Sequence, residues 1–366
     1  MRQVLVIGAG QIGCLIAFLL ARTPGYQVTL TDLHPTNDNV KRLPKLSSLA
    51  IAALDARDEA SIEAFLKKHP FEAVISSLPY YANIPVAQAA KKFNLFYFDL
   101  TEDVATTKAV TKLAQQSEKA FVPQCGLAPG FISIITNHLM HNFSTSIDSV
   151  KMRVGALPIN ISNALQYSLT WSIDGLINEY GNPCHAIEDG QETTLPPLDD
   201  LEEIKIDGLT YEAFNTSGGV GSLVHTYTGK VKHLSYKTIR YPGHCNKIRF
   251  LMQDLKLNHD RDTLKRILEN ALPRTYQDVV LVYVSVTGMQ GQQLVEENYV
   301  NKFYPQTIDG IRWSAIQMTT ASGICAIMDL VFENEHHYRG LVFQEKFALP
   351  DLLANRFGKY FANIAC

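Results

Sequence analysis

Apolar residues in the first third of the chain fall in short continuous runs, separated by longer stretches of helical period. Val4-Leu5-Val6-Ile7 is uninterrupted, as expected of a parallel strand covered on both faces. The chain then turns through Gly8–Gly13 into "QIGCLIAFLLART", apolar at helical spacing. "YQVTLTD" reads as a second strand, "LAIAALDARD" as a third, "EAVISSLP" as a fourth, "LFYFDLTED" as a fifth and "FVPQC" as a sixth. Between them, "DEASIEAFLKKHP" opens with acids and closes with Lys67-Lys68-His69, matching a helix dipole. "NIPVAQAAKKFN" and "TTKAVTKLAQQSEKA" are further helices. This alternation predicts an α/β fold, a doubly wound parallel sheet of the Rossmann type.

After about residue 147 the texture changes. "SVKMRVGAL" and "DVVLVYVSVTG" are rich in β-branched residues, and "EENYVNKFYP" and "RWSAIQMTT" read as further strands. "GNPCHAIEDGQETTLPPLDDLEE" reads as a long loop. A second, α+β domain of mostly antiparallel sheet is therefore expected. The divisions expected are 1–125, 126–320 and 321–366. "TTASGICAIMDLVFEN" and "LPDLLANRFGKYFANI" supply C-terminal helices that pack back on the first domain.

Composition narrows the classes. The 366 residues carry 33 basic and 36 acidic side chains, a net charge of −3, with no basic stripe. That argues against a nucleic-acid partner. Cysteines stand at 14, 125, 184, 245, 325 and 366, with no C-x-x-C pair. This predicts a reducing, cytoplasmic setting rather than a disulfide framework. The first strand begins within three residues of Met1, with no charged n-region before a cleavable apolar stretch, so no signal peptide is expected. No run reaches the roughly 18 apolar residues of a membrane span. His138 and His141, and Glu335-His336-His337, lack further ligands at useful spacing, so no metal is expected. Trp171 and Trp313 read as core residues.

Gly8-Ala9-Gly10-Gln11-Ile12-Gly13 matches G-x-G-x-x-G between a strand and a helix. Gly8 would permit the tight turn, Gly10 the approach of a pyrophosphate, and Gly13 close packing of helix on strand. The helix N-terminus would offer N–H donors to phosphate. Asp32, at the end of the second strand, is placed to accept from ribose hydroxyls and to repel a 2′-phosphate. No Lys or Arg follows it before Lys41. NAD is therefore the expected cofactor, with NADP possible. Asp55 is a candidate for the adenine end, and Ser77, Leu78 and Pro79 for the nicotinamide half.

In open α/β sheets ligands bind outside the carboxyl ends of the strands. That rule picks out Pro79-Tyr80-Tyr81, Asp99-Leu100-Thr101-Glu102 and Gln124-Cys125-Gly126. "CGLAPG" after a Rossmann-like unit, then "LTWSIDGLINEYGNP", "TSGGVGSL" and "LSYKTIRYPGH", resembles the saccharopine dehydrogenase family. In layout it is most similar to the lysine 6-dehydrogenase-like branch. The resemblance implies a pyridine-nucleotide oxidoreductase acting on a carbon–nitrogen bond of an amino acid. It also implies a second domain that supplies much of the substrate pocket and builds an oligomer, expected to be a homodimer. It places Asp99 and Cys125 at the pocket floor and gives Arg240 the substrate carboxylate. Ala128 stands where saccharopine reductases of the family carry aspartate.

The residues suit those roles. Arg240 offers a planar fork for a carboxylate. Lys237 is either a second cation or a solvated lysine, and Tyr80, Tyr236 and Tyr241 could wall a pocket. Thr216, Ser217, Gly218 and Gly219 offer hydroxyls and open backbone. His244, titrating near neutrality, is a candidate for moving the proton released as amine becomes imine; Asp99 and Glu102 are the other candidate bases. Two further readings are a carboxynorspermidine-type reductase and a non-catalytic NAD sensor.

Overall fold

The computed structural model describes residues 1–115 and 117–362. Strands β1 (Arg2–Ile7), β2 (Tyr26–Asp32), β3 (Leu49–Ala53), β4 (Ala73–Ser76), β5 (Phe96–Asp99) and β6 (Ala120–Val122) alternate with helices and pair in parallel. Val4 to Ile7 are fully buried because helices cover both faces of the sheet. The helix Gln11–Ala21 is itself buried from Gly13 to Ala21. Helices Glu59–Lys68 and Val104–Ala114 start where Asp58 and Asp103 accept first-turn amides.

A second set of strands comprises β7 (Ser146–Pro158), β8 (Cys184–Glu188), β9 (Gln191–Leu195), β10 (Glu202–Ile206), β11 (Leu209–Asn215), β12 (Val231–Arg240), β13 (Asp278–Gln290) and β14 (Gln293–Phe303). They form one eight-stranded sheet, ordered β10-β11-β12-β7-β13-β14, with β8 and β9 branching from β12. All its pairings are antiparallel except β7 with β12. A two-stranded ribbon, β15 (Gln306–Ile308) and β16 (Ile311–Trp313), follows. Last comes β17 (Gly340–Leu341), which joins the first sheet and completes the order β17-β6-β5-β4-β1-β2-β3.

The chain divides into two compact units, Met1–Gly130 with the segment from Gln317 onward, and Phe131–Ile316. Three expectations need correction. The expected long loop after Gly181 holds the hairpin β8–β9, whose turn residues Asp189 and Gly190 have φ of 48° and 78°. Paired positive φ values are what a two-residue hairpin turn requires. "RWSAIQMTT" is not a strand beyond Trp313: the helix Ala315–Glu333 begins inside it. The C-terminal "LPDLLANRFGKYFANI" is not one helix but Leu349–Ala354 followed by a short 3-10 turn, Gly358–Phe361; its Asn363 and Ile364 lie outside the described residues.

By length and composition Ala315–Glu333 could cross a membrane, an outcome the sequence reading did not anticipate. Its apolar window is 94% buried inside the protein, as in a core helix. Within the first unit it packs on Gln11–Ala21, with Gln317 Nε2 donating to the Gln11 carbonyl at 3.1 Å. The C-terminal segment is pinned at Asp329, which accepts from Tyr26 Oη at 2.5 Å, Asn355 Nδ2 at 2.8 Å, and Arg356 Nε and Nη2 at 2.9 and 2.6 Å. Burial opposes ionisation there, but those hydrogen bonds hold the carboxyl below its usual range.

Candidate functional site

Each unit carries its own candidate residues. In the first, Gly8 has φ +104°, and a side chain on it would come within 2.7 Å of the Ser77 carbonyl oxygen. A Cβ on Gly13 would lie 1.8 Å from the Gly8 carbonyl oxygen, so both glycines are demanded by contact. Gly10 differs, with nothing within 4 Å of where its Cβ would stand. It is the N-cap of Gln11–Ala21, and no side chain caps that helix. Open space over uncapped first-turn amides, including those of Gln11 and Ile12, fits a pyrophosphate.

Asp32 Oδ2 accepts the Ala9 amide at 2.7 Å and Oδ1 the His34 amide at 2.8 Å. The carboxylate is thus fixed beside the glycine turn, each oxygen keeping a lone pair for a ribose hydroxyl. Asn37, which the sequence reading passed over, stands here too. Its Nδ2 donates to the Ala9 and His34 carbonyls while its Oδ1 caps the helix Asp38–Lys41. Asp55 lies two residues beyond β3 rather than ending it, and is ion-paired with Arg57 at 2.7 Å. That pair and the Arg57 amide hold its carboxyl at about 2. Ser77 donates its amide to the Ile7 carbonyl, and Leu78 and Pro79 follow into a 3-10 turn that carries Tyr80 edge-on to the exposed ring of Tyr81.

Asp99 and Cys125 meet at the ends of β5 and β6, both buried. Asp99 Oδ1 accepts the amides of Thr101 at 2.9 Å and Gln124 at 3.0 Å, and Oδ2 accepts Tyr97 Oη at 2.8 Å. Burial outweighs these donors and raises its carboxyl. The group braces two strand tips. Burial, reinforced by Asp99, also pushes the Cys125 thiol well up, so it is protonated and not nucleophilic. "QCGLAPG" is therefore a tight structural turn: a Cβ on Gly130, φ +135°, would fall 2.1 Å from the Gly126 carbonyl oxygen.

In the second unit β12 delivers Arg240 into an aromatic enclosure, 2% exposed. Its guanidinium lies 5.0 Å from the Tyr167 ring centre and 5.6 Å from that of Tyr180. Nε donates to Tyr180 Oη and Nη1 to the Ile239 carbonyl, each at 2.8 Å. Burial works against its charge, yet Tyr180, Tyr167 and Glu179 favour it, and the pKa goes up. Among the described residues no carboxylate forms an ion pair with Arg240. The fork is not fully open, since two of its donors are spent.

His244 is not the near-neutral titrating group expected. It is 1% exposed. Burial first, then the charge of Arg240, lowers its pKa to about 3. Nδ1 stands 2.7 Å from the Leu165 carbonyl, which can only accept, so Nδ1 carries the proton. Nε2 must then accept from Tyr180 Oη at 3.0 Å, and Tyr180 in turn accepts from Arg240. The chain of bonds Arg240, Tyr180, His244, Leu165 has one consistent direction. Tyr180 was missed because nothing in its spacing links it to a histidine on another helix.

The remaining candidates divide. Lys237 is neither a free second cation nor solvated: it is 2% exposed, and its Nζ meets Asp200 Oδ2 at 2.7 Å and Glu202 Oε2 at 3.2 Å. Ser217 spends its hydroxyl on the Pro183 carbonyl at 2.9 Å. Thr216 keeps a buried hydroxyl oxygen with no protein partner. Tyr236 is buried against Gly219, and Tyr241 donates its hydroxyl to the Pro158 carbonyl at 2.9 Å. Glu102 is half-buried.

Residues 4–123 match the family model described as the saccharopine dehydrogenase NADP binding domain, and residues 126–360 that of the saccharopine dehydrogenase C-terminal domain. The second match takes in both the eight-stranded unit and the segment after Gln317 that folds with the first. Among solved structures, the chain resembles apo saccharopine dehydrogenase (L-Glu forming) from Saccharomyces cerevisiae, with a TM-score of 0.73 at 16% identity over 98% of this chain and 96% of that one. It also resembles a homospermidine synthase from Legionella pneumophila solved with NAD, with a TM-score of 0.69 at 12% identity over 98% and 89%. At these identities the two structures speak for the fold.

Proposed function

The chain belongs to the saccharopine dehydrogenase family, and from that premise we propose that this NAD(P)-dependent oxidoreductase acts on a carbon–nitrogen bond of an amino acid of the saccharopine or lysine ε-amino type. The observation that carries the reading is Arg240, a buried guanidinium with no carboxylate in ion-pair contact among the described residues, buried Glu179 favouring its charge only from beyond that distance. Burying an unpaired charge is costly. An arginine kept in that state favours a ligand that brings its own anion, and an amino-acid carboxylate does so. Two of its five N–H donors are spent, and the rest suffice for an end-on carboxylate.

The roles follow from the side chains. The Gly8–Gly13 turn holds the pyrophosphate and Asp32 the ribose, which favours NAD over NADP. Nicotinamide, when bound, supplies the hydride chemistry. Arg240 fixes the carboxylate; Tyr180 fixes Arg240; His244, neutral, fixes Tyr180. The Thr216 hydroxyl is available to a polar substrate group. An amine must be neutral before hydride leaves its carbon, and dry surroundings favour the neutral form. The five described cysteines are free and buried, which suits a reducing, cytoplasmic setting.

The test is turnover. Purified protein with NAD or NADP is offered lysine, saccharopine and polyamine precursors, and reduced nicotinamide is followed by absorbance. Turnover of an amino acid supports the proposal. Tight NAD binding with no turnover of any of them points instead to a nucleotide sensor.

A further inference from the structure

The Ala9–Gly10 peptide lies in the middle of the glycine turn, and side chains hold it from one side. The Ala9 amide donates to Asp32 Oδ2 at 2.7 Å. The Ala9 carbonyl accepts from two side chains, Asn37 Nδ2 at 3.2 Å and Cys14 Sγ at 3.4 Å. A thiol is a weak donor, so Asn37 is the principal partner of that oxygen. No helical amide takes its place, because the Cys14 amide bonds the next carbonyl, that of Gly10, at 3.0 Å. The Asn37 side chain can be oriented one way only. Its Oδ1 accepts the Asn39 and Val40 amides at 2.9 and 3.2 Å, which leaves Nδ2 to face the carbonyls of Ala9 and His34.

In a trans peptide the N–H points opposite to the C=O. The one cis bond among the described residues precedes Pro129, so the Ala9–Gly10 bond is trans. With the Ala9 carbonyl turned toward Asn37, the Gly10 N–H is turned away from it. That amide finds no acceptor among the described residues. Nothing stands within 4 Å of where a Cβ on Gly10 would be. It therefore joins the uncapped first-turn amides of the helix Gln11–Ala21. Glycine leaves a backbone many conformations, and a turn with Gly8 and Gly10 on either side of Ala9 needs an outside hold to keep one.

We propose that Asn37 is a positioning residue for the dinucleotide: by holding the Ala9 carbonyl from the segment after β2, it aims the Gly10 amide at the pyrophosphate. This role needs only dinucleotide binding, not the substrate proposed above, and a chain that turns over no amino acid leaves it intact. The test is Asn37→Ser, which keeps a neutral capping oxygen for the helix Asp38–Lys41 but is too short to donate to Ala9. The dissociation constants of NAD and of ADP, measured by calorimetry, should both rise about three- to tenfold, the worth of one hydrogen bond. Adenosine has no pyrophosphate, and Asp32 is held by the Ala9 and His34 amides rather than by Asn37. Its dissociation constant, measured by ligand-observed NMR, should therefore stay at the wild-type value. A urea midpoint verifies folding. Asn37→Asp retains the cap but sets a carboxylate oxygen against the Ala9 carbonyl; it should weaken NAD more than serine does, and it carries the test should the serine variant not fold. Wild-type NAD affinity in a folded variant, or a loss for adenosine equal to that for NAD, overturns the proposal.

Discussion

Replacing Tyr180 by phenylalanine removes one oxygen and breaks the bonds that hold Arg240. Tyr180 is 2% exposed, so water cannot take the vacated place freely. Arg240 Nε–H loses an acceptor and His244 Nε2 loses a donor. A hydrogen bond to a charged group contributes about 1.5–3 kcal/mol, and a buried acceptor left unmet costs about 1–3 kcal/mol. The ring stays and leaves almost no void, so the sum, about 3 kcal/mol, is nearly all polar. Two units are present and one two-state transition cannot be assumed. The stability assay is therefore hydrogen exchange of the helix Ile173–Gly181, whose protection should fall. The functional assay separates positioning from folding: KM for the amino-acid substrate should rise about tenfold or more, each 1.4 kcal/mol being a factor of ten, while the dissociation constant for NAD stays unchanged. Wild-type protection together with an unchanged KM would refute the bond chain and the role given to Arg240.

Other predictions rest on single contacts. With a folded-state pKa near 3 against 6.5 unfolded, His244 binds its proton more readily in the unfolded chain. Its contribution is complete above pH 6.5 and is lost as pH falls toward 3, a span worth a few kcal/mol at roughly 1.4 per unit; His244→Gln should flatten the slope of a urea midpoint measured across that window. Gly13→Ala puts a methyl 1.8 Å from the Gly8 carbonyl oxygen, so NAD binding measured by calorimetry should be lost while the amino-acid site is spared. Asp329→Asn leaves Arg356 and Tyr26 competing for a neutral acceptor; with Arg356 45% exposed, a loss of about 2 kcal/mol is expected, read as faster proteolysis at the C-terminal segment.

The parallel sheet was legible because its central strands hold continuous apolar runs, Val4–Ile7 and Ala73–Ile75, and its helices carry caps and dipole-matched ends, as in Asp58 and Lys67-Lys68. The glycine turn was legible for a similar reason: its spacing answers to contacts a few residues away. Local signals were also misread. Asp189-Gly190 is a strong hairpin turn, yet the Pro and Asp residues around it suggested a loop. In "RWSAIQMTT" three strand residues run directly into a helix, and a single period could not describe both. The second unit was harder. Sequence supplied Arg240 and His244 but not the tyrosine between them, because Tyr180 lies on another helix and only tertiary packing joins the three. The same packing reverses the expectation for His244: desolvation, invisible in a sequence, keeps it neutral. Lys237 likewise looked solvated until β10 brought Glu202 to it.

The most direct measurement compares an amino acid that the protein oxidises with the amine that lacks only its carboxyl group, in the wild-type chain and in Arg240→Lys. The wild type should favour the amino acid by about tenfold to a hundredfold in kcat/KM, the worth of a charged hydrogen bond, and the variant should lose most of that preference while binding NAD as before. Equal turnover of the two compounds by the wild-type chain would contradict the account.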